Sequence, residues 1–222
     1  MSRYFYSAKE LADDTPEEED ENEQLIANQF SEPNFFEKAK QAAKDGGEYL
    51  LLHRRVQMME KIFASVMSRK PFPQLVDSLL GALMDAVDSS TGSIFELDHN
   101  KNEFFFRAIR GDAAERVKDF RIPRNSGVVG EVAETREAKL LNNIQTESKK
   151  HLHSVGVVGG FEAKHCIAVP ILISGEIFGV AEIFNKKGDE LFTQDDFELV
   201  KHGVWMAAKI LEIRFLMAEL VK

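Results

Sequence analysis

The stretch from Cys166 to Asp196 reads CIAVPILISGEIFGVAEIFNKKGDELFTQDD. It contains two apolar, β-prone runs, Cys166–Ile173 and Glu176–Asn185, separated only by Ser174-Gly175. That pair predicts a tight hairpin turn, where glycine supplies a positive φ at little cost. The end of the stretch, Thr193-Gln-Asp-Asp196, is a capping signature. It opens a long helix whose one side carries Phe197, Val200, Val204, Ala208, Leu211, Phe215 and Ala218, a spacing that suits an amphipathic helix running to the carboxyl terminus.

Upstream, Ser93–Leu97 and Glu103–Arg110 read as strands of a second hairpin about the turn Asp98–Asn102. Pro123 biases Ile122 away from helix and makes Phe120–Pro123 extended. Gly127–Arg136 reads as a short helix and Ala138–Leu141 as a strand. Ahead of the sheet lie two helices. The first, from about Glu48 to Ser68, repeats Val56, Met59, Phe63 and Val66 at spacings of three and four and ends before Pro71 and Pro73. The second places Leu75, Leu79, Leu83 and Val87 on one face with Leu80 and Met84 beside them, and stops near Ser89–Gly92. Asn34 caps a further helical stretch to Lys44. The long helices before and after the sheet carry more apolar outer surface than one small sheet covers, which predicts a homodimer bundle built from both.

The 222 residues suit one domain with additional helix and tail. Of the net charge of −9, residues 1–34 hold −8, from two basic and ten acidic side chains. The body is therefore near neutral and has no basic stripe, which argues against nucleic acid. The acidic block predicts a solvated tail or partner-binding arm. A single cysteine, Cys166, excludes an internal disulfide framework and a cysteine-cluster metal site, and fits a reducing compartment. No cleavable signal is legible at the amino terminus. The most apolar window, Ile167–Phe184, is interrupted by Pro170, Ser174-Gly175, Glu176 and Glu182, so no membrane span is expected there. A cytoplasmic protein is the expectation.

The order of elements resembles a GAF domain. The segment Phe120–Ala133 is similar to that family's strand and glycine-bounded turn, with Ile122-Pro123, Gly127 and Gly130 in place. Val169–Lys186 followed by Phe192–Asp196 resembles the GAF domains of cyclic-nucleotide phosphodiesterases. The organisation expected is an acidic tail over 1–34, a helical segment over 35–71, the GAF-like domain over 72–212 and the end of the last helix over 213–222. The implied fold is α+β, an antiparallel sheet with helices on one face and a ligand cavity on the other, closed by the segment Asn142–Glu162. Such domains are sensors that bind a small molecule and signal through neighbouring helices, commonly as dimers.

In the nucleotide-binding members an Asn-Lys pair, a Phe and an Asp-Glu pair brace the pocket. Asn185, Lys186, Phe192 and Asp196 match that pattern, and Phe197 stands in place of its final Glu. An ion pair of Lys186 with Asp196 would pin the last strand to the head of the long helix, a structural brace as much as a ligand signature. Ser93 and Glu182 match pocket positions. Gly156 and Gly159 fall where relatives carry Asp and hydroxyl side chains, Ala163 replaces a hydroxyl, and Ile109-Arg110 replaces an aromatic beside an acid. Backbone N–H groups at Val128 and Val129, helped by Arg110, would face a phosphate. The ligand alternatives are a cyclic nucleotide (cAMP or cGMP), another small molecule, or none.

His151, His153 and His165 with Cys166 do not have the spacing of a metal site, and surface histidines with a buried structural thiol account for them better. One thiol cannot run the thiol–disulfide exchange of the GAF relatives that reduce free methionine sulfoxide. No other catalytic motif is present, so no enzyme activity is expected. Two readings follow. One is a dimeric sensory module that signals to an unidentified effector protein, with Ser93, Arg110 and Glu182 converging on its ligand. The other is a ligand-free dimerisation or adaptor scaffold whose cavity is filled by Phe104, Phe106, Ile109 and Phe161.

Overall fold

The computed structural model describes residues 46–68, 70–147 and 162–220. The acidic tail and the Asn34-capped helix lie outside the described residues, as do His151, His153, Gly156, Gly159 and Phe161. One compact unit runs from Leu51 to Lys222.

Its elements are α1 (Gly47–Met67), α2 (Phe72–Ala86), β1 (Ser89–Asp98), β2 (Glu103–Arg110), α3 (Ala114–Val117), β3 (Arg121–Pro123), α4 (Gly127–Thr135), β4 (Lys139–Leu141), α5 (Ile144–Glu147), β5 (Cys166–Ile173), β6 (Glu176–Lys186) and α6 (Gln194–Leu220). The six strands form one antiparallel sheet in the order β3-β2-β1-β6-β5-β4. Both expected hairpins are present. At the β5–β6 turn Ser174 and Gly175 each have positive φ, 51° and 81°, the primed geometry that matches strand twist. Glu212 of α6 accepts hydrogen bonds from the Ser174 backbone N–H (3.0 Å) and hydroxyl (2.7 Å), tying this turn to the last helix.

Alternation along the strands sends side chains into two cores. On one face Ile94, Ala108, Ile167, Val169, Ile171, Ala181 and Ile183 pack against α2, α6 and the α1 residues Met58 and Ile62. On the other, Phe95, Phe104, Ala168 and Val180 pack with Val128, Val129 and Val132 of α4. Aromatic contacts of Phe72 and Phe178 with Phe215, at 5.3 Å and 5.9 Å between ring centroids, join α2, β6 and α6.

The α1 face picked out by periodicity is not the one this chain buries. Met58, Ile62 and Ser65 face inward, whereas Val56 and Phe63 are 44% and 58% exposed. Apolar residues surround most of this helix, so spacing alone did not select a face. The close approach at Gly203 did: a Cβ there would lie 2.5 Å from Leu83 and 2.7 Å from Met58. The one-turn elements α3 and α5 are too short to carry a period.

Two bulges bend the sheet. Ile94 pairs with Ala108 and Phe95 with Phe106, leaving Arg107 as the extra residue. Ile171 pairs with Gly179 and Leu172 with Ile177, leaving Phe178 extra on β6. Gly179 sits where the strands crowd, and a Cβ there would lie 1.8 Å from the Phe95 carbonyl oxygen. A strand glycine of this kind marks close backbone approach. Gly179→Ala is expected to destabilise the fold by about 2 kcal/mol, read as a lower urea midpoint with an unchanged slope.

Candidate functional site

The sheet face away from the long helices carries a row across four strands. Ser93 of β1 lies between Ile109 of β2 and Glu182 of β6, and Glu182 is flanked in turn by Ala168 of β5. Directly opposed residues on one face stand about 5 Å apart at Cβ. Val128, Val129 and Ala163 lie on the same side of the sheet. The structure therefore brings Ser93, Ile109, Val128, Val129, Ala163 and Glu182 together on one side. Gly156 and Gly159 fall outside the described residues.

This face is apolar except at its centre. Glu182 is only 7% exposed, and burial pushes its carboxyl up to about 8. Beside it, burial and then the Glu182 charge push the Cys166 thiol well above its ordinary value. The Ser93 hydroxyl is buried and has no hydrogen-bond partner. Such groups are costly to leave unpaired, at about 1–3 kcal/mol each, and the Ser93 hydroxyl calls for an account of what meets it.

Arg110 does not join them. The Arg107 bulge reverses the alternation of β2, so Phe104 and Phe106 face the second core while Ala108 packs with the helices. Arg110 follows Ala108 to the helix side. There its guanidinium makes a bidentate pair with Asp77 of α2, 2.8 Å from Nε and 2.6 Å from Nη2, and lies over Gly81. Arg110 holds the Asp77 carboxyl below its usual range. The expected convergence of Arg110 with Ser93 and Glu182 is corrected accordingly: of the pair Ile109-Arg110, only Ile109 faces the site.

Below the site, Asp196 is fully buried. Lys186 of β6 donates to its Oδ2 at 3.0 Å, and Arg54 of α1 donates to its Oδ1 at 2.5 Å. Thr193 closes a capping box, its backbone N–H donating to Asp196 Oδ2 and its hydroxyl oxygen accepting from the Asp196 N–H. The Arg54 Nε also donates to the carbonyl of Ala86, the last residue of α2. Burial raises the Asp196 carboxyl, but the bonds from Thr193, Arg54 and Lys186 outweigh it and hold the group below its ordinary value. Phe197 packs partly buried against the helix-side core, with Lys201 5.0 Å from its ring centroid.

A second set of bonds fastens both ends of the segment that runs from Asn142 to Glu162. Asn142 exchanges hydrogen bonds with the backbone of Phe192, at 2.9 Å and 3.0 Å. The Asn185 side chain accepts from the Lys164 and His165 N–H groups and donates to the Glu162 carbonyl. The His165 ring pairs with the Asn142 carbonyl. Among the described residues no three His, Cys, Asp or Glu side chains could hold a metal ion, and no helix is long and apolar enough to cross a membrane. Sequence reasoning missed Arg54, Asp77 and Asn142. Arg54 lies 142 positions from its partner Asp196, and no local pattern links the two.

The family model described as GAF domain matches residues 70–202. The chain is 27% identical over 174 residues to the protein named "Probable 3',5'-cyclic phosphodiesterase pde-5" of Caenorhabditis elegans, a match covering 71% of this chain and 23% of that relative. The chain thus spans about a quarter of that protein's length. Among solved structures, the GAF domain of a phosphoenolpyruvate-protein phosphotransferase from Coxiella burnetii superposes with a TM-score of 0.63 at 20% identity, over 75% of this chain and 98% of that one. Free methionine-R-sulfoxide reductase from Neisseria meningitidis, in complex with its substrate, superposes with a TM-score of 0.60 at 18% identity, over 78% and 93% of the two chains. These likenesses establish the fold.

Two outcomes follow from the charge placements. Asp196→Ala is expected to cost about 3 kcal/mol by stranding Arg54 and Lys186. Because the Asp196 carboxyl is depressed, its contribution is present above the unfolded-state value and fades as pH falls through the folded one. Acid titration of the variant should therefore show a shallower loss of stability than the parent. Arg110→Ala, at a partly exposed pair, is expected to cost under about 1 kcal/mol in urea unfolding.

Proposed function

The chain belongs to the GAF domain family, and on that premise we propose that it is a regulatory sensor. It binds a small molecule against the Glu182 face of its sheet and passes the change to α1 and α6. The observation that carries this reading is the pairing of a buried carboxyl with a buried, partnerless Ser93 hydroxyl at the centre of that apolar face. Four residues along β6 from Glu182, Lys186 holds Asp196, and Asp196 holds Arg54. A ligand that shifts β6 therefore acts directly on the junction of α1, α2 and α6. Coupling of this kind needs a ligand that distinguishes two arrangements of that junction.

Output runs through other chains in this reading. The exposed Val56 and Phe63 on α1, and Trp205, Ile213, Leu216 and Met217 on α6, are apolar surface suited to a second copy in a homodimer, with an effector protein receiving the signal. The role is binding and not catalysis: the one cysteine is buried and its thiol is held protonated. A reducing, cytoplasmic setting suits that thiol.

A cyclic nucleotide is the second reading, favoured by the similarity to a protein named as a cyclic phosphodiesterase. With Arg110 turned to the helices, its phosphate would rest on the N–H groups at the head of α4, near Val128 and Val129.

Native mass spectrometry of the full chain, alone and with cyclic AMP or cyclic GMP, tests these readings. A dimer carrying one small molecule per subunit is expected, with that molecule lost in Glu182→Ala. A dimer that carries nothing and gains neither nucleotide would replace the sensor with a ligand-free dimerisation or adaptor scaffold.

A further inference from the structure

The polar centre of the site is a buried carboxyl and a buried hydroxyl. Ser93 Oγ has no partner, and no hydrogen bond reaches the Glu182 carboxyl from any described residue. Among the described residues the nearby cations and donors are committed elsewhere: Arg110 to Asp77, the His165 ring to Asn142, and Lys186 and Arg54 to Asp196 below the face. Among the same residues the titratable group facing Glu182 is the Cys166 thiol of β5, which is itself held protonated. Around these groups the face is apolar, with Phe95, Phe106, Phe184, Ala163 and Ala168.

Resting on the sensor reading above, we propose that the ligand enters as a cation. A protonated amine or amidinium attached to an apolar body would sit between the Glu182 carboxylate and the Ser93 hydroxyl. An ammonium group has three donors and no acceptor, so it can donate both to the Glu182 carboxylate that forms as it binds and to the Ser93 hydroxyl oxygen. A carboxylate or phosphate placed there would gain no counter-charge from Arg110, Lys186 or Arg54, which are committed elsewhere, in a poorly solvated site. Charge pairing in such a site is strong when the geometry is direct. The apolar body would cover the aromatic surface, and its ring or chain is left open by the residues present.

One consequence distinguishes a cation from any neutral ligand. Burial keeps Glu182 largely protonated at neutral pH, so seating a cation requires the carboxyl to release its proton. Affinity for a permanently charged ligand therefore rises with pH, by about tenfold per unit below the Glu182 value, and levels off above it. A neutral ligand bound to the protonated acid shows the opposite trend or none.

The test is calorimetric titration of the full-length protein with benzylamine, benzamidine, benzyl alcohol and benzoate, at pH values from about 6 to 8. The expected result is saturable binding of benzylamine or benzamidine alone, tightening about tenfold per pH unit. Glu182→Gln should weaken it at least tenfold and abolish the pH dependence. Ser93→Ala should weaken it several-fold while the melting temperature stays the same or rises, since the unpaired hydroxyl is removed. Binding of benzoate or benzyl alcohol in preference to the amines, lost in Glu182→Gln, would overturn the cation assignment and leave the sensor reading standing. Amine binding that Glu182→Gln leaves intact would overturn it as well. If none of the four probes binds and the purified protein carries no small molecule, the cation assignment and the sensor reading fall together.

Discussion

One buried carboxylate organises the helical side of this protein. Asp196 is the meeting point of a strand, a helix start and two other helices, through Lys186, Thr193 and Arg54. Isolated, such a charge would be expelled or neutralised on burial. Here two cations, a backbone N–H and the head of α6 share it, which is why its carboxyl remains ionised despite full burial. Arg54 also caps the carboxyl end of α2 at Ala86, where a cation complements the helix dipole. The arrangement makes the docking of α1 a polar event at one end and an apolar one, at Met58 and Ile62, along the rest.

The sheet is the complement of that junction. Its helix-side face is conventional packing, while its other face holds a carboxyl and a hydroxyl that no described residue satisfies. A core that existed only for stability would place apolar side chains at both positions, since a fully apolar replacement of buried polar groups is commonly neutral or better. On the sensor reading proposed above, Ser93 and Glu182 are kept for what binds there.

Much of this was legible in the sequence because it is local. The hairpin at Ser174-Gly175, the cap at Thr193 and Asp196, and the α2 face of Leu75, Leu79 and Leu83 each follow from contacts a few residues apart. Long-range facts were not. The repeat of Val56, Met59, Phe63 and Val66 did not show which side of α1 packs on this chain's core, because the deciding contacts of Met58 are with Leu83 and Gly203. Arg110 was misplaced for another reason: a single extra residue at Arg107 inverts everything after it on β2. Such a bulge has no signature in the run Glu103–Arg110, where Phe104, Phe105 and Phe106 are consecutive and no alternation fixes a face. Within the candidate site the described residues carried over from the family resemblance fall on one side of the sheet apart from Arg110, whereas Arg54, Asp77 and Asn142, which hold the frame, had no pattern to reveal them.

Cys166 gives this architecture a built-in chemical clock. Its sulfur lies beside Glu182, is shielded from solvent, and is held in the unreactive protonated form. An alkylating reagent can reach it only when β5 becomes uncovered, so the speed of modification counts opening events of this one region. No engineered label is required, since the chain has no other thiol. The same residue that excludes a disulfide-based chemistry thus records, in a single covalent mark, how often the floor of the site is laid bare.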